Sequence, residues 1–407
     1  MQFDLMSKPK VFVEFSNDDM ESLVAVDCKH PTAYQLTHHL KGPGQKKSMN
    51  LLLRGDSSTD AVINAIKSND DRFVACQYVT TNHFDIDSFL SVWCALNCDL
   101  AISYEGILRE AARIGDFREF LLDEPNAKDK DFALRIVCWI NSVESKLFYE
   151  PFESPISVAS GERDAKTKFD YFLSKFESVI RNPLDQEYIN DYFDEYSRVI
   201  AEYNMLTDNT NSKATYETLR DIGLVIVHFP QPMHYYSLFS VSRGLDVVVS
   251  CYSDNRYEVE EKYTSFIDLF SRGCLPRVEM QPLSRFLNKL ERKYAHLNNS
   301  HVKASESTEV VAVSQIEWCS NRVTDSGPIL RREDLLRKLT KAERYGHPFE
   351  RQIYSSCIPS TEFIAIVVSY FQFAYSTSKV ASKIDWSWNE IHEFNKSIDW
   401  VKWESTV

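Results

Sequence analysis

The stretch "TTNHFDIDSFLSVW" at residues 80–93 sets one imidazole and two carboxylates, His83, Asp85 and Asp87, at alternate positions between an apolar run and an amphipathic one. In an extended chain alternate side chains share a side, so these three would face together with Phe84 and Ile86 opposite. Alternate residues on a strand lie about 6.6 Å apart, too far to chelate one small ion unless the chain curls. A curled His-x-Asp-x-Asp turn suits two ions roughly 3.5–4 Å apart. Oxygen donors with an imidazole favour Mn²⁺ or Mg²⁺, one ion or two, over a thiolate-bound metal. On this reading His83, Asp85 and Asp87 are ligands and catalytic residues at once. The competing reading makes Asp85 and Asp87 turn and cap residues and His83 incidental.

Other residues could complete the shell. Asp116 of "IGDF" sits where a helix should end, a poor place for a carboxylate unless a cation compensates, be it an ion, Arg113 or Arg118. His38, Asp56, His228 and His234 each end or follow an apolar run, and Asp56 could instead cap the helix after it. Arg256, Lys262, Arg272 and Arg277 cluster in sequence, and guanidinium forks suit phosphate, which makes Arg256, Arg272 and Arg277 the candidate substrate-binding cations. No HExxH, G-x-S-x-G, lysine-containing phosphate loop or strand-following G-x-G-x-x-G occurs. A Ser88 nucleophile lacks a base beside it in sequence.

The elements that must position these residues alternate at first between strand and helix. "KVFVEF", "LVAVD", "MNLLLRG" and "RFVACQYVT" read as strands, "DSSTDAVINAIKS" as a helix capped by Asp56, Ser57 or Ser58, and 87–97 as another. This is the rhythm of a mostly parallel α/β sheet flanked by helices, with the ligand cluster past the end of a buried strand, where open sheets bind their ligands. From about 100 to 205 four amphipathic segments make a helical insertion. Strands return with "DIGLVIVHF", "GLDVVVSCYS" and "NRYEVEEKY", the last two joined as a hairpin through Ser253, Asp254 and Asn255. The expected organisation is an α/β domain over 1–230 and a smaller α+β domain over 231–407. Within the latter, 297–308 reads as a linker, "EVVAV" as a strand, "REDLLRKLTKAE" as a helix, and a long apolar helix begins at Thr361. The Trp-rich tail "DWSWNEIHEFNKSIDWVKWE" docks as a helix.

Composition narrows the class. A chain of 407 residues, 43% hydrophobic and 13% aromatic, fits a globular enzyme. A formal charge of -13 argues against duplex nucleic acid and for a small phosphorylated substrate or short oligonucleotide. Nine scattered cysteines without a CxxC pair read as reduced thiols. With no signal core and no spanning segment, a cytoplasmic protein without a membrane partner is expected.

The "NHFDIDSFLSVW" segment resembles the first motif of the DHH phosphoesterase superfamily, which includes nucleases, oligonucleotide and cyclic-dinucleotide phosphodiesterases and a manganese pyrophosphatase. The resemblance implies that His83, Asp85 and Asp87 bind a pair of manganese ions, with Asp116 as the bridging second-motif aspartate, in a metal-dependent phosphoesterase. The superfamily's Asp-His-His triplet is absent, since the only His-His pair, His38-His39, follows Thr37 and precedes the first motif. The C-terminal glycine-rich motif is missing too. These departures leave a second reading, a catalytically degenerate binding or regulatory module. Over most of its length the chain resembles more closely an uncharacterised bacterial family, a domain of unknown function sharing "VAVDCKHPTAYQLTHHLKG", "LRGDSSTDAVINAI", "AARIGDF" and "RYEVEEKYTSFIDLFSR".

Overall fold

A computed structural model describes residues 9–39, 51–122, 126–148, 165–208, 214–262, 264, 267, 269–300, 315–323, 328–336, 352–377, 380–384 and 386–407. Contacts divide the chain into two units, Met1–Ala201 with Ile267–Gly273, and Glu202–Phe266 with Cys274–Val407. The boundary read from the sequence, at residue 230, falls inside the second unit, just after a strand.

The first unit is built on a four-stranded sheet of β1 (Val11–Phe12), β2 (Leu23–Val26), β3 (Tyr34–Leu36) and β4 (Tyr78–Thr80) in the order β1-β4-β2-β3. Every pairing is parallel, with Val24 beside both Val79 and Tyr34. All four strands therefore end at one edge, and β2 is buried throughout. The loop between β2 and β3 is pinned by His30, whose Nδ1 accepts the amides of Thr32 and Ala33 while its Nε2–H donates to the Ser16 carbonyl at 2.7 Å.

Two helices begin at that edge. α1 (Ser58–Ser68) is capped by Ser57 in a reciprocal box with Asp60, so Ser57, not Asp56, is the cap. Next comes α2 (Asp71–Ala75), capped by Asp70. It corrects the reading of "RFVACQYVT" as one strand: a capped turn buries Phe73 first, and only Tyr78–Thr80 joins the sheet. "MNLLLRG" is likewise no strand where described, since Leu51–Leu53 forms a 3-10 turn. α3 (Ile86–Leu96) is capped by Asp85 and buried along nearly its whole length. α4 (Cys98–Ser103) and α5 (Glu105–Phe117) follow, and α3 packs against both α1 and α5.

The expected helical stretch opens with α4 and α5 and continues with α6 (Ala127–Phe148), α7 (Ala165–Arg181) and α8 (Gln186–Thr207), the last running from the first unit into the second. Apolar residues at three- and four-residue spacing on α7, Phe169, Phe172 and Phe176, meet Phe84, Phe89, Trp93 and Trp139, edge-on or tilted except for the stacked pair Phe84–Phe172. The backbone leading from β4 to α3 is thereby held by its apolar side.

The second unit carries a mixed sheet of β5 (Thr215–Leu219), β6 (Leu224–Phe229), β7 (Val247–Tyr252), β8 (Arg256–Glu261), β9 (Ile316–Ser320) and β10 (Ile329–Asp334) in the order β5-β6-β7-β8-β10-β9, parallel only between β6 and β7. Thus the chain is α/β with one parallel and one mixed sheet. β7 and β8 form the expected hairpin, with Asp254 and Asn255 at positive φ. α9 (Tyr235–Ser240) and α10 (Gln281–Ser300) are followed by the apolar α11 (Ser360–Thr377), whose Phe363, Val367 and Phe371 fill the core beside Val249 and Val259. Residues 297–300 are helical, and the rest of the expected linker and the strand "EVVAV" lie outside the described residues. "REDLLRKLTKAE" begins as the end of β10, whose Arg332, Glu333 and Asp334 pair with β9, and its remainder from 337 lies outside them too. The Trp-rich tail folds as two helices, α12 (Trp388–Ser397) and α13 (Trp400–Glu404), with Trp403 buried and Trp400 stacked on Tyr370. No helix among the described residues is long and apolar enough to cross a membrane.

Candidate metal centre

Residues just past three adjacent parallel strands converge. Asp27 follows β2, His38 and His39 follow β3, and His83 follows β4. Asp85 and Asp87 open α3, and Asp116 lies in the last turn of α5. Three overlapping groups result, each with ligand atoms within 4.8 Å of one another: Asp27 with His38 and His39, Asp27 with His83 and Asp85, and His38 with Asp87 and Asp116. The histidine and aspartates of the first motif thus curl apart, because the helix starts at Ile86 and turns Asp87 away from Asp85.

The histidines are held from behind. His38 Nδ1 lies 2.6 Å from the Asp56 carbonyl, and since a carbonyl only accepts, Nδ1 carries the proton. Its Nε2 is then left to face Asp27 at 3.3 Å, Asp116 at 3.5 Å and Asp87 at 3.8 Å. His83 repeats the pattern, with Nδ1 on the Asn82 side-chain oxygen at 2.8 Å and Nε2 at 3.0 Å from Asp85 and 3.3 Å from Asp27. His39 Nε2 lies 3.1 Å from Asp27. Such anchoring of one ring nitrogen while the other faces acids is how metal-ligating histidines are oriented. His30, with both nitrogens satisfied by backbone, shows the structural alternative in the same chain.

The carboxylates are equally placed. Asp87 accepts the first two amides of α1, Ser58 N at 2.7 Å and Thr59 N at 2.9 Å, and the Ser58 hydroxyl donates to Asp27 at 2.7 Å. Asp116 Oδ2 is buried, and among the described residues no hydrogen bond reaches it. Four acids packed this closely demand cations between them. Burial and the Asp27 charge push Asp87 up to about 7, and burial with the Asp87 charge pushes Asp116 well above the carboxylate range. Burial opposes charge on Asp27 too, but His39, His38 and His83 outweigh it and hold that carboxyl well below its ordinary value. Burial disfavours imidazolium at His38 and His83, yet the surrounding acids raise both well above the ordinary histidine value. Without protons the cluster is an array of lone pairs that could hold a cation. The donors are hard, since burial and Asp27 push the adjacent Cys28 thiol up to about 12, away from thiolate. His83 and Asp85, at 40% and 47% side-chain exposure against 1% or less for Asp27 and Asp87, mark the open side.

Other predicted residues lie elsewhere. Asp56 lends the centre only its carbonyl, while its carboxylate accepts from Arg113 and from the amides of Phe270 and Ser271. In the second unit, His234 caps α9, its ring accepting Tyr236 N, and half-buried His228 ends β6. Among the described residues, neither belongs to a ligand group. Arg256 donates to the Ser253 carbonyl and Gln231, buried Arg277 to the Lys262 carbonyl, and Lys262 to Ser242, all structural ties of a strand and its turns. Arg272 donates to the carbonyl of Gly273. Ser88 shares a capping box with Asp85, a structural bond that occupies its hydroxyl.

Asp27 and His39 are members that sequence reasoning does not reach, although "VAVD" already shows an acid ending an apolar strand. Gly115 matters to Asp116 beside it, because a Cβ there would meet Ile86 Cβ at 2.6 Å and Cγ2 at 2.8 Å. Gly115→Ala is expected to cost about 1–3 kcal/mol of stability by overpacking α5 on α3, read by urea unfolding. A variant as stable as the parent would mean that the helices part freely.

No curated protein and no solved structure matches the chain, so the likeness of its first motif to the DHH superfamily has no support from either comparison. Residues 8–381 match the family of unknown function DUF6687, whose span takes in every residue of the centre, and the chain belongs to that family.

Proposed function

We propose that this cluster is a centre for Mn²⁺ or Mg²⁺ that hydrolyses a phosphoester or phosphoanhydride on a small nucleotide-like substrate or short oligonucleotide. The observation carrying the metal reading is the set of backed imidazoles, His38 and His83, whose Nε2 atoms face four carboxylates, one of them with an unbonded buried oxygen. Asp27, His83 and Asp85 would hold one ion and His38, Asp87 and Asp116 another, with His39 and Asp27 between. Such ions supply Lewis acidity to a phosphoryl oxygen and to attacking water. Hard oxygen donors, the carboxyl edge of a parallel sheet and the likeness of "NHFDIDS" to the DHH motif support phosphoryl chemistry. The residues' own tasks are to orient, to neutralise and, at exposed Asp85, to meet substrate.

The purified chain should bind Mn²⁺ and, with it, cleave a phosphodiester from a panel of short oligonucleotides, cyclic dinucleotides, bis-p-nitrophenyl phosphate and pyrophosphate. Asp85→Ala and Asp116→Ala should each abolish turnover. Metal-independent turnover, or variants that match the parent, would sink the hydrolase reading. Metal binding without turnover favours instead a binding module, a reading supported by the structural work that Asp85 and Asp87 already do at the starts of α3 and α1.

A further inference from the structure

Asp56 faces two ways. Its carbonyl accepts His38 Nδ1–H at 2.6 Å. Its Oδ1 takes the amides of Phe270 and Ser271 at 2.9 and 2.7 Å, and its Oδ2 takes Arg113 Nη2 at 3.1 Å. The donors come from Ile267–Gly273, a segment far along the chain that belongs to the first unit. The peptide itself has little room, since a Cβ on Gly55 would meet Asp60 Cβ at 2.1 Å and Ser57 is locked as the cap of α1.

We propose that Asp56 is a positioning residue through which the returning segment Ile267–Gly273 aims His38 at the metal centre. Gripped on both carboxylate oxygens, residue 56 has one orientation, and its carbonyl is fixed on the ring that faces Asp27, Asp87 and Asp116. A carboxylate that accepts consecutive amides and a guanidinium makes charge-assisted bonds, the strong kind. Outer-shell partners of this sort change metal affinity about 10- to 100-fold when lost. The affinity readout rests on the metal-centre reading above, whereas the position of the His38 ring does not.

The test uses the full chain with Asp56→Ala, Asp56→Asn and, as a control for stability alone, Val62→Ala in the buried face of α1. Mn²⁺ affinity is measured by calorimetry, ligation by the Co²⁺ visible spectrum, and the His38 ring by crystallography. Asp56→Ala should lose about 10- to 100-fold in affinity, alter the Co²⁺ bands and release the ring. Asp56→Asn, which keeps an acceptor for the two amides, should recover most of the loss, and Val62→Ala should lower the melting temperature with affinity unchanged. Should Asp56→Ala not fold, Ser271→Pro deletes the shorter amide donor and carries the same expectation. Parental affinity and an unmoved ring in Asp56→Ala, or an equal affinity loss in Val62→Ala, would overturn the proposal. If the parent binds neither metal, the metal-centre reading fails, and a displaced or unmoved ring still decides for or against the positioning role.

Discussion

Asp27→Asn is expected to weaken Mn²⁺ binding at the proposed centre by at least about 100-fold, beyond the upper range for outer-shell partners. Asp27 belongs to two of the three ligand groups and faces all three imidazoles. Asparagine keeps the shape and still accepts from the Ser58 hydroxyl, so the loss isolates charge from packing. Its amide would also turn donors toward the Nε2 lone pairs that a cation would otherwise use. The expected result is a folded protein whose melting temperature no longer responds to Mn²⁺, while His30→Gln, at a histidine outside the ligand groups, keeps the response if it folds. Unchanged binding by Asp27→Asn would mean that Asp27 is merely the ion-pair partner of His38, His39 and His83, and the two-ion arrangement would fall.

How far the centre is legible in the sequence follows from its topology. His83, Asp85 and Asp87 stand out because they are contiguous and straddle a strand end and a helix start. Asp116 is recognisable as a carboxylate on the wrong end of a helix dipole. Asp27 is no less visible as the end of "LVAV", but nothing local says that β2 lies beside β4, and that neighbourhood alone brings Asp27 to His83. Asp56 misleads for a similar reason, because its partners at 270 and 271 are set by tertiary closure, leaving Ser57 to cap. Period and capping identify α1, α3, α5 and the long helices, where the pattern is internal to each segment. The short strands fail as "RFVACQYVT" does, since a capped turn and a three-residue strand share one apolar run. For the arginines, sequence proximity says nothing of the carbonyls that Arg256 and Arg277 bond.

The second large effect is on pH. Asp87, pushed up to about 7 by burial and the Asp27 charge, and Asp116, raised well above its ordinary value, bind protons in the folded metal-free protein that they have lost when unfolded. Their contribution to stability is complete below the unfolded carboxylate range and is lost as pH rises through the folded values. His38 and His83, also raised, act in the same direction, fully stabilising below the ordinary histidine value and losing that as pH climbs. Asp27 and Asp85, held low, have the opposite sign, but their loss comes only as pH falls below the carboxylate range, and His39, lowered by burial and the His38 charge, opposes only up to its ordinary value at the foot of the window. Between pH 6 and 8 the cluster therefore weakens the metal-free fold as protons leave. A divalent cation held as proposed would compete for the same sites, so its affinity should rise about tenfold per pH unit for each proton displaced. At a free Mn²⁺ concentration about 100 times the dissociation constant, the stabilisation reaches about 2.7 kcal/mol. Thermal unfolding with and without Mn²⁺ should thus show two curves that diverge from pH 6 to pH 8, with the gap closed in Asp27→Asn. A gap of equal size at both ends of that range would mean that protons and metal do not share the cluster, and the centre would have to be sought among other residues.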